Sequence, residues 1–186
     1  MRKRDSRWGR AVALLAVLAG AVCSQPSRAQ EAAPALELPD HTGQVRRLED
    51  YRGHIVVLNF WATWCGPCAF EMPIFVDAQK RFGSNGVVVL AASLDEEETK
   101  ANIPKFMQKY KMNFPVLVGT TADHLKLFGM GEALPGTVFI NRQGQIVARI
   151  LGEARKGQIF ERVEWFLGLG GRKPPPSLLD NVPKPR

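Results

Sequence analysis

Two apolar runs, Val56–Phe60 (VVLNF) and Val87–Ala92, are continuous rather than alternating, and their β-branched content predicts strands of a sheet covered on both faces. The first run extends back to His54, where Gly53 punctuates the chain. Between the two, Glu71 to Phe82 carries apolar residues at helical spacing, interrupted by Pro73, which is expected to kink the helix, and Gly83-Ser84-Asn85-Gly86 ends it. Ahead of the first run, apolar residues from Ala35 to Leu48 flank Asp40-His41-Thr42-Gly43, the pattern of a strand–turn–strand hairpin, with 30–34 as a short linker.

Beyond the second run, Asp95 to Glu98 is an acidic stretch suited to a helix N-terminus, and Asn102 and Pro104 mark a helix running to about Tyr110. A short strand near Pro115–Val118 and a helix near Ala122–Phe128 follow. Thr137–Asn141 and Ile146–Ile150, joined by Arg142-Gln143-Gly144-Gln145, predict a hairpin, and Lys156–Leu167 a closing amphipathic helix ended by glycines at 168, 170 and 171. The order β-α-β-α-β-α-β-β-α describes an α/β fold, a mixed sheet with helices on both faces.

The chain ends read differently. Arg2, Lys3, Arg4, Arg7 and Arg10 precede the apolar run Ala11–Val22, too short at 12 residues to span a bilayer, and Ser27-Arg28-Ala29 is a small-x-small cleavage site. Residues 1–29 are therefore expected to be a secretory signal peptide, with a mature chain from Gln30 in the periplasm or an equivalent compartment. The alternative is a lipoprotein anchored through Cys23. The tail 172–186 holds five prolines in 15 residues and is expected to be disordered or extended, leaving one domain over 30–171. The two ends carry net charges of +5 and +3 out of a total of +7, so the domain itself is near −1. Nucleic-acid binding has no support in that balance.

Loss of Cys23 with the signal leaves Cys65 and Cys68 alone, three residues apart, where the first strand gives way to a helix. A pair this close cannot staple distant segments, and no histidine spacing completes a zinc site. It can close and reopen as a small disulfide ring. The first cysteine lies at the positive end of the helix dipole, which favours thiolate over thiol. C-x-x-C at the end of the first core strand of such a pattern is the thioredoxin signature.

The segment VVLNFWATWCGPCAFEMP (56–73) closely resembles the active-site segment of the TlpA/ResA-type exported thiol–disulfide oxidoreductases, and the resemblance runs from about Pro34 to Leu167. It implies a thioredoxin fold with an N-terminal β-hairpin extension and an αβ insertion at about 95–118. Two departures stand out. Gly136 follows the proline of the Leu134-Pro135 motif where a threonine or similar residue is usual, and Gly129–Leu134 is one residue longer than the common form.

Within that resemblance, Cys65 is the candidate nucleophile and Cys68 the candidate resolving thiol. Thioredoxin carries a proton-accepting Asp six residues before its first cysteine. Here that position is Asn59, which cannot titrate, so Glu71, three residues after Cys68 on the same helix face, is the candidate substitute; the other reading is a solvated helix carboxylate. Gly66 and Pro67 set the ring's redox bias. Gly-Pro is the dipeptide of thioredoxin, a reductant near −270 mV, against about −120 mV for the oxidant DsbA. Pro135, preceded by Leu134, resembles the cis-proline that lies beside the cysteines and pairs with substrate. Trp64 is a candidate groove wall, and Trp61 suits core or groove.

The expected activity is reduction of oxidised protein substrates by dithiol–disulfide exchange, with no cofactor beyond the cysteine pair and no metal. The resemblance implies a membrane thiol–disulfide electron donor and a client such as apocytochrome c. Rival readings are an oxidase or isomerase, a thiol peroxidase, and a non-catalytic thiol or haem assembly factor.

Overall fold

The computed structural model describes residues 31–171 and 173–181; the expected export segment, Cys23 included, lies outside the described residues. The elements are β1 (Glu31–Ala32), β2 (Glu37–Pro39), β3 (Val45–Arg47), β4 (Ile55–Trp61), α1 (Gly66–Phe82), β5 (Val87–Ser93), α2 (Ile103–Tyr110), β6 (Val116–Leu117), α3 (Ala122–Leu127), β7 (Gly136–Ile140), β8 (Gln145–Leu151), α4 (Lys156–Phe166) and β9 (Leu178–Asp180). Their main sheet runs β1-β8-β7-β4-β5-β6, with β9 also on β8. β4 pairs parallel with β5 and antiparallel with β7, so the sheet is mixed.

All seven residues of β4 are buried, which is why its sequence does not alternate. The pleat still sorts them. Ile55, Val57 and Trp61 join Met72, Phe75, Ala78 and Phe82 of α1 and Ile159, Phe160 and Val163 of α4 in one core layer. Val56, Leu58 and Phe60 join Leu125 and Phe128, at and just past the end of α3, and Leu36 in the other. Each large apolar side chain buried this way contributes roughly 1.5–3 kcal/mol. Phe82 meets Phe160 edge-on at 5.3 Å between centroids, locking α1 to α4. By the same alternation Asn59 sits among the residues that face α1, a polar side chain in an apolar layer.

The hairpin β2–β3 forms with Glu37 opposite Arg47, and it is pinned to the sheet edge where His41 N–H donates to the Val116 carbonyl and Val118 N–H to that of Pro39. Asp40 organises its turn, accepting from Thr42 N–H, the Thr42 hydroxyl and Arg46 Nε. The insertion is anchored by a run of rings: Trp61 lies 4.7 Å from Phe106 of α2, and Phe106 4.5 Å from Tyr110. Trp61 is fully buried, so of its two readings the core one holds.

Two expectations need correction. The linker 30–34 contributes β1, whose Glu31 and Ala32 pair with Ile146 and Gln145. The acidic stretch does not simply front a helix: Asp95 is buried, and a 3-10 turn (Lys100–Asn102) precedes α2. Of the tail, for which composition indicates disorder or an extended chain, Leu178–Asp180 take the extended form as β9, parallel to Arg149–Leu151 of β8, a pairing that local sequence does not reveal. Arg162 of α4, 1% exposed, helps hold it there, its guanidinium donating to the Pro176 carbonyl at 2.5 Å and the Gln158 carbonyl at 2.9 Å.

The two departures meet in the structure: a Cβ on Gly136 would come within 2.6 Å of Cε of the buried Met130, the flexible end of that side chain.

Candidate active site

β4 delivers the chain to Trp61, and four residues later Cys65 caps α1 in extended backbone (φ −85°, ψ 106°). Pro67 falls in the first turn, where its missing N–H costs nothing. Cys65 Sγ accepts a hydrogen bond from Cys68 N–H at 3.3 Å, so this sulfur already sits where a thiolate meets the unpaired amides of a helix start. Cys65 and Cys68 are joined, with an S–S distance of 2.02 Å and Cα atoms 5.3 Å apart. Cys65 is 6% exposed and Cys68 fully buried, so only the first can meet another protein's sulfur before the site rearranges.

A clamp holds the approach to Cys65. The Asp95 carboxylate accepts from Thr63 N–H at 2.8 Å, from the Thr63 hydroxyl at 2.5 Å and from the Ser93 hydroxyl at 2.6 Å. It ties the loop two residues before the nucleophile to the end of β5.

Glu71, three residues beyond Cys68 on α1, is completely buried, so the solvated-carboxylate reading does not hold. Its Oε1 accepts from Asn59 Nδ2 at 2.7 Å and its Oε2 from Ala154 N–H at 2.9 Å. Burial dominates these two bonds, and the Glu153 charge adds to it, so the carboxyl is pushed up to about 8. At neutral pH it is mostly a neutral acid in the disulfide form. Asn59 Oδ1 is buried and unpartnered among the described residues. A half-turn of that amide would present Oδ1 to a protonated Glu71.

Beside the disulfide lies a groove of about 280 Å³ lined by Pro67, Leu134, Pro135, the 152–155 turn and Asn181. The Leu134–Pro135 bond is cis, as the motif led us to expect. Gly66 and Pro67 are exposed over the disulfide. Trp64 is 61% exposed but is not one of the groove's lining residues, while Phe70, at 75%, adds an apolar side chain on the open face of α1. The site thus brings together Cys65, Cys68, Gly66, Pro67, Leu134 and Pro135, with Glu71 behind them and Trp64 on an open surface.

Sequence reasoning missed Asp95, the 152–155 turn and Asn181. Asp95 carried a signal, as the first acid after a buried strand, but its neighbours Glu96–Glu98 disguised it as a solvated run. Asn181 carried none.

Comparison with known proteins agrees with this geometry. The chain matches the AhpC/TSA family over residues 29–149. It is 36% identical over 132 residues to the thiol–disulfide oxidoreductase ResA of Geobacillus thermodenitrificans, covering 71% of this chain and 74% of that protein. It is 36% identical over 129 residues to the ResA of Bacillus subtilis, covering 69% and 70%. A Chlorobium tepidum structure described as a DsbE thiol:disulfide interchange protein superposes with a TM-score of 0.68 at 29% identity, over 75% of this chain and 97% of that one. Its fold, its paired cysteines and these relatives together place the chain in the ResA thiol–disulfide oxidoreductases of the AhpC/TSA family.

Proposed function

We propose that this oxidoreductase is exported and works chiefly as a reductase of protein disulfides, with Cys65 as nucleophile, Cys68 as resolving thiol and Glu71 as their proton carrier. The observation that carries this reading is a disulfide-bonded cysteine pair at a helix start, its first sulfur the more exposed, with a buried, proton-holding carboxyl one turn behind it.

In the reduced protein the Cys65 thiolate attacks a client disulfide. A new S–S bond forms, and one client sulfur leaves as a thiolate that takes a proton from water. Cys68 then passes its proton to the Glu71 carboxylate and attacks Cys65 Sγ. The Cys65–client bond breaks, the second client sulfur departs and is protonated, and the Cys65–Cys68 disulfide remains. The client has gained two electrons from the cysteine pair and two protons from water, and the Cys68 proton rests on Glu71. An external dithiol returns the electrons: one of its thiolates attacks Cys65, Cys68 leaves as a thiolate, and the neutral Glu71 supplies its proton. The donor's second thiolate then attacks the donor sulfur bonded to Cys65, so that Cys65 leaves as a thiolate and the donor departs as a disulfide. A carboxyl with its midpoint near 8 suits both directions, giving a proton up to a thiolate and recovering it at little cost.

The proposed electron source is a membrane thiol–disulfide donor, and the proposed clients are oxidised proteins such as apocytochrome c, whose haem-attachment cysteines must be reduced thiols. The rival peroxidase reading draws no support from Trp64-Cys65-Gly66-Pro67-Cys68, which does not supply the threonine and arginine pattern of a peroxidatic cysteine. Among the described residues no helix is long and apolar enough to cross a membrane. Export by ordinary cleavage supports a mature chain from Gln30, and intact-mass measurement distinguishes this from a lipidated Cys23.

Cys68→Ser is the deciding variant. It is expected to accumulate client proteins as mixed disulfides on Cys65, released by dithiothreitol, whereas Cys65→Ser captures none. An empty Cys68→Ser variant would sink the exchange mechanism and favour a non-catalytic assembly factor.

A further inference from the structure

We propose that the C-terminal strand belongs to the active-site scaffold, with Asn181 as a positioning residue: it fixes the Glu153–Ala154 peptide plane, and through it Glu71 and the outer wall of the substrate groove.

The connection is short and runs through one peptide unit. Ala154 N–H donates to Glu71 Oε2 at 2.9 Å. The carbonyl of the same peptide, that of Glu153, accepts from Asn181 Nδ2 at 2.9 Å. A peptide bond is planar, so a donor gripping its oxygen sets the direction in which its N–H points. Hydrogen bonds in such a chain also polarise one another, which strengthens the N–H as a donor to the carboxyl.

Asn181 is itself placed on three sides. Its N–H donates to the Leu151 carbonyl at 2.7 Å, continuing the β8–β9 pairing by one residue. Its Nδ2 reaches Gln158 Oε1 at 3.0 Å, and that same oxygen accepts from Arg155 N–H at 2.9 Å, at the start of α4. Upstream, the buried Arg162 holds the Pro176 carbonyl. A turn of four residues, Gly152–Arg155, is thereby fixed from the tail as well as from its own two ends. Gly152, Glu153 and Arg155 of the same turn line the groove together with Asn181, Pro67 and Pro135, so one side chain serves both the buried proton site and the surface that meets a client.

The groups facing Glu71 are few. Asn59 comes from β4 with Thr137 of β7 behind it, Glu153 and Ala154 come from the turn, and Cys65 and Cys68 share its helix. In the oxidised protein the cysteines do not titrate, and Glu153 opposes ionisation. Only the bonds from Asn59 and Ala154 favour the carboxylate, so loosening the Ala154 bond raises the Glu71 midpoint.

The inference deepens the proton-carrier reading and rests on it for its effect in turnover, but its primary test does not. In the oxidised, full chain, carbon-13 NMR of the Glu71 carboxyl is followed from pH 5 to 10 in wild type and Asn181→Ala. The wild-type midpoint is expected near 8. In Asn181→Ala it is expected to rise by about half a pH unit or more, as a hydrogen bond to the charged form weakens, with native circular dichroism. The KM for a peptide disulfide is expected to rise as the groove wall loosens. An unchanged midpoint in folded Asn181→Ala overturns the proposal, and so does a shift seen only when residues 178–186 are deleted. If Asn181→Ala does not fold, hydrogen exchange on the wild type decides: Ala154 N–H opening together with the β9 amides supports the proposal, and Ala154 remaining protected while β9 exchanges freely overturns it. Glu71→Gln turning over at the wild-type rate would instead remove the proton-carrier reading, leaving the midpoint comparison to judge Asn181.

Discussion

Glu71 sits where ionisation is costly. Two hydrogen bonds favour its charged form, yet the apolar layer around it holds the midpoint near 8 rather than 4.5. Glu71→Gln keeps the size of the side chain and one acceptor for Ala154 N–H. Its new donor can meet the unpartnered Asn59 Oδ1 after a turn of that amide, so the variant is expected to fold. A positioned acid–base group contributes 10²–10⁴-fold in general, but thiolates form appreciably unaided, so the expected loss is about tenfold. Disulfide-reduction rates measured from pH 6 to 8 check this, and equal rates would demote Glu71 to a structural carboxyl. Stability gives an independent reading. Between about pH 4.5 and 8 the folded protein keeps a proton that the unfolded chain has released, so raising the pH favours unfolding. The stabilisation is fully present below 4.5 and lost as pH passes 8. Unfolding free energies from urea titration of oxidised wild type at pH 6 and 9 should therefore lie further apart than those of Glu71→Gln, by on the order of 2 kcal/mol. The pattern C-x-x-C-x-x-E placed the acid on the correct helix face from sequence alone. Its burial depends on Asn59 and Ala154, 12 residues before it and 83 after it, and no local pattern contains that.

Elements matter here by where they end. β4 and β5 run parallel and in register from Ile55↔Val87 to Trp61↔Ser93, so the residues after each strand emerge side by side. Thr63 thereby meets Asp95, and the nucleophile's loop is fixed to a second strand rather than held by α1 alone. Asp95→Ala leaves the Thr63 N–H and two hydroxyls without their acceptor in a buried setting, at a cost of about 1–3 kcal/mol. Asp95→Asn, which retains one acceptor oxygen, is expected to cost less. Denaturant midpoints order the three proteins, and the alkylation rate of Cys65 in the reduced state should change most in the alanine variant. A denaturation curve for Asp95→Ala matching wild type would show that the clamp is not needed. Continuous and helical apolar periods recovered β4, β5, α1, α3, α4 and the β7–β8 hairpin to within a residue or two, apart from the extra first turn of α1, because each buries its own face. β1 and β9 escaped because they are two and three residues long and exist only by pairing with the β8 edge.

At the scale of the whole molecule, one sheet carries a redox pair at the end of β4, and the stabilities of its oxidised and reduced states are tied to its potential by a closed cycle. A cysteine pair that is harder to reduce in the folded protein than in the unfolded chain makes the oxidised fold the more stable one. The reverse makes a strong oxidant, as when the reduced form is stabilised. Gly66-Pro67 is the dipeptide of a reductant, and its neighbourhood agrees. The Cys68 sulfur is fully buried, and burial disfavours a charged sulfur, so the reduced state keeps Cys68 as a thiol rather than as a stabilised thiolate. Only Cys65 gains from the helix start. Equilibration with glutathione or dithiothreitol is therefore expected to give a potential below about −220 mV, more reducing than glutaredoxins. The oxidised protein should also unfold at higher urea concentration than the reduced protein at pH 7. A potential near −120 mV, or a reduced form that outlasts the oxidised one in urea, would reverse the direction of electron flow and turn the proposed reductase into an oxidase.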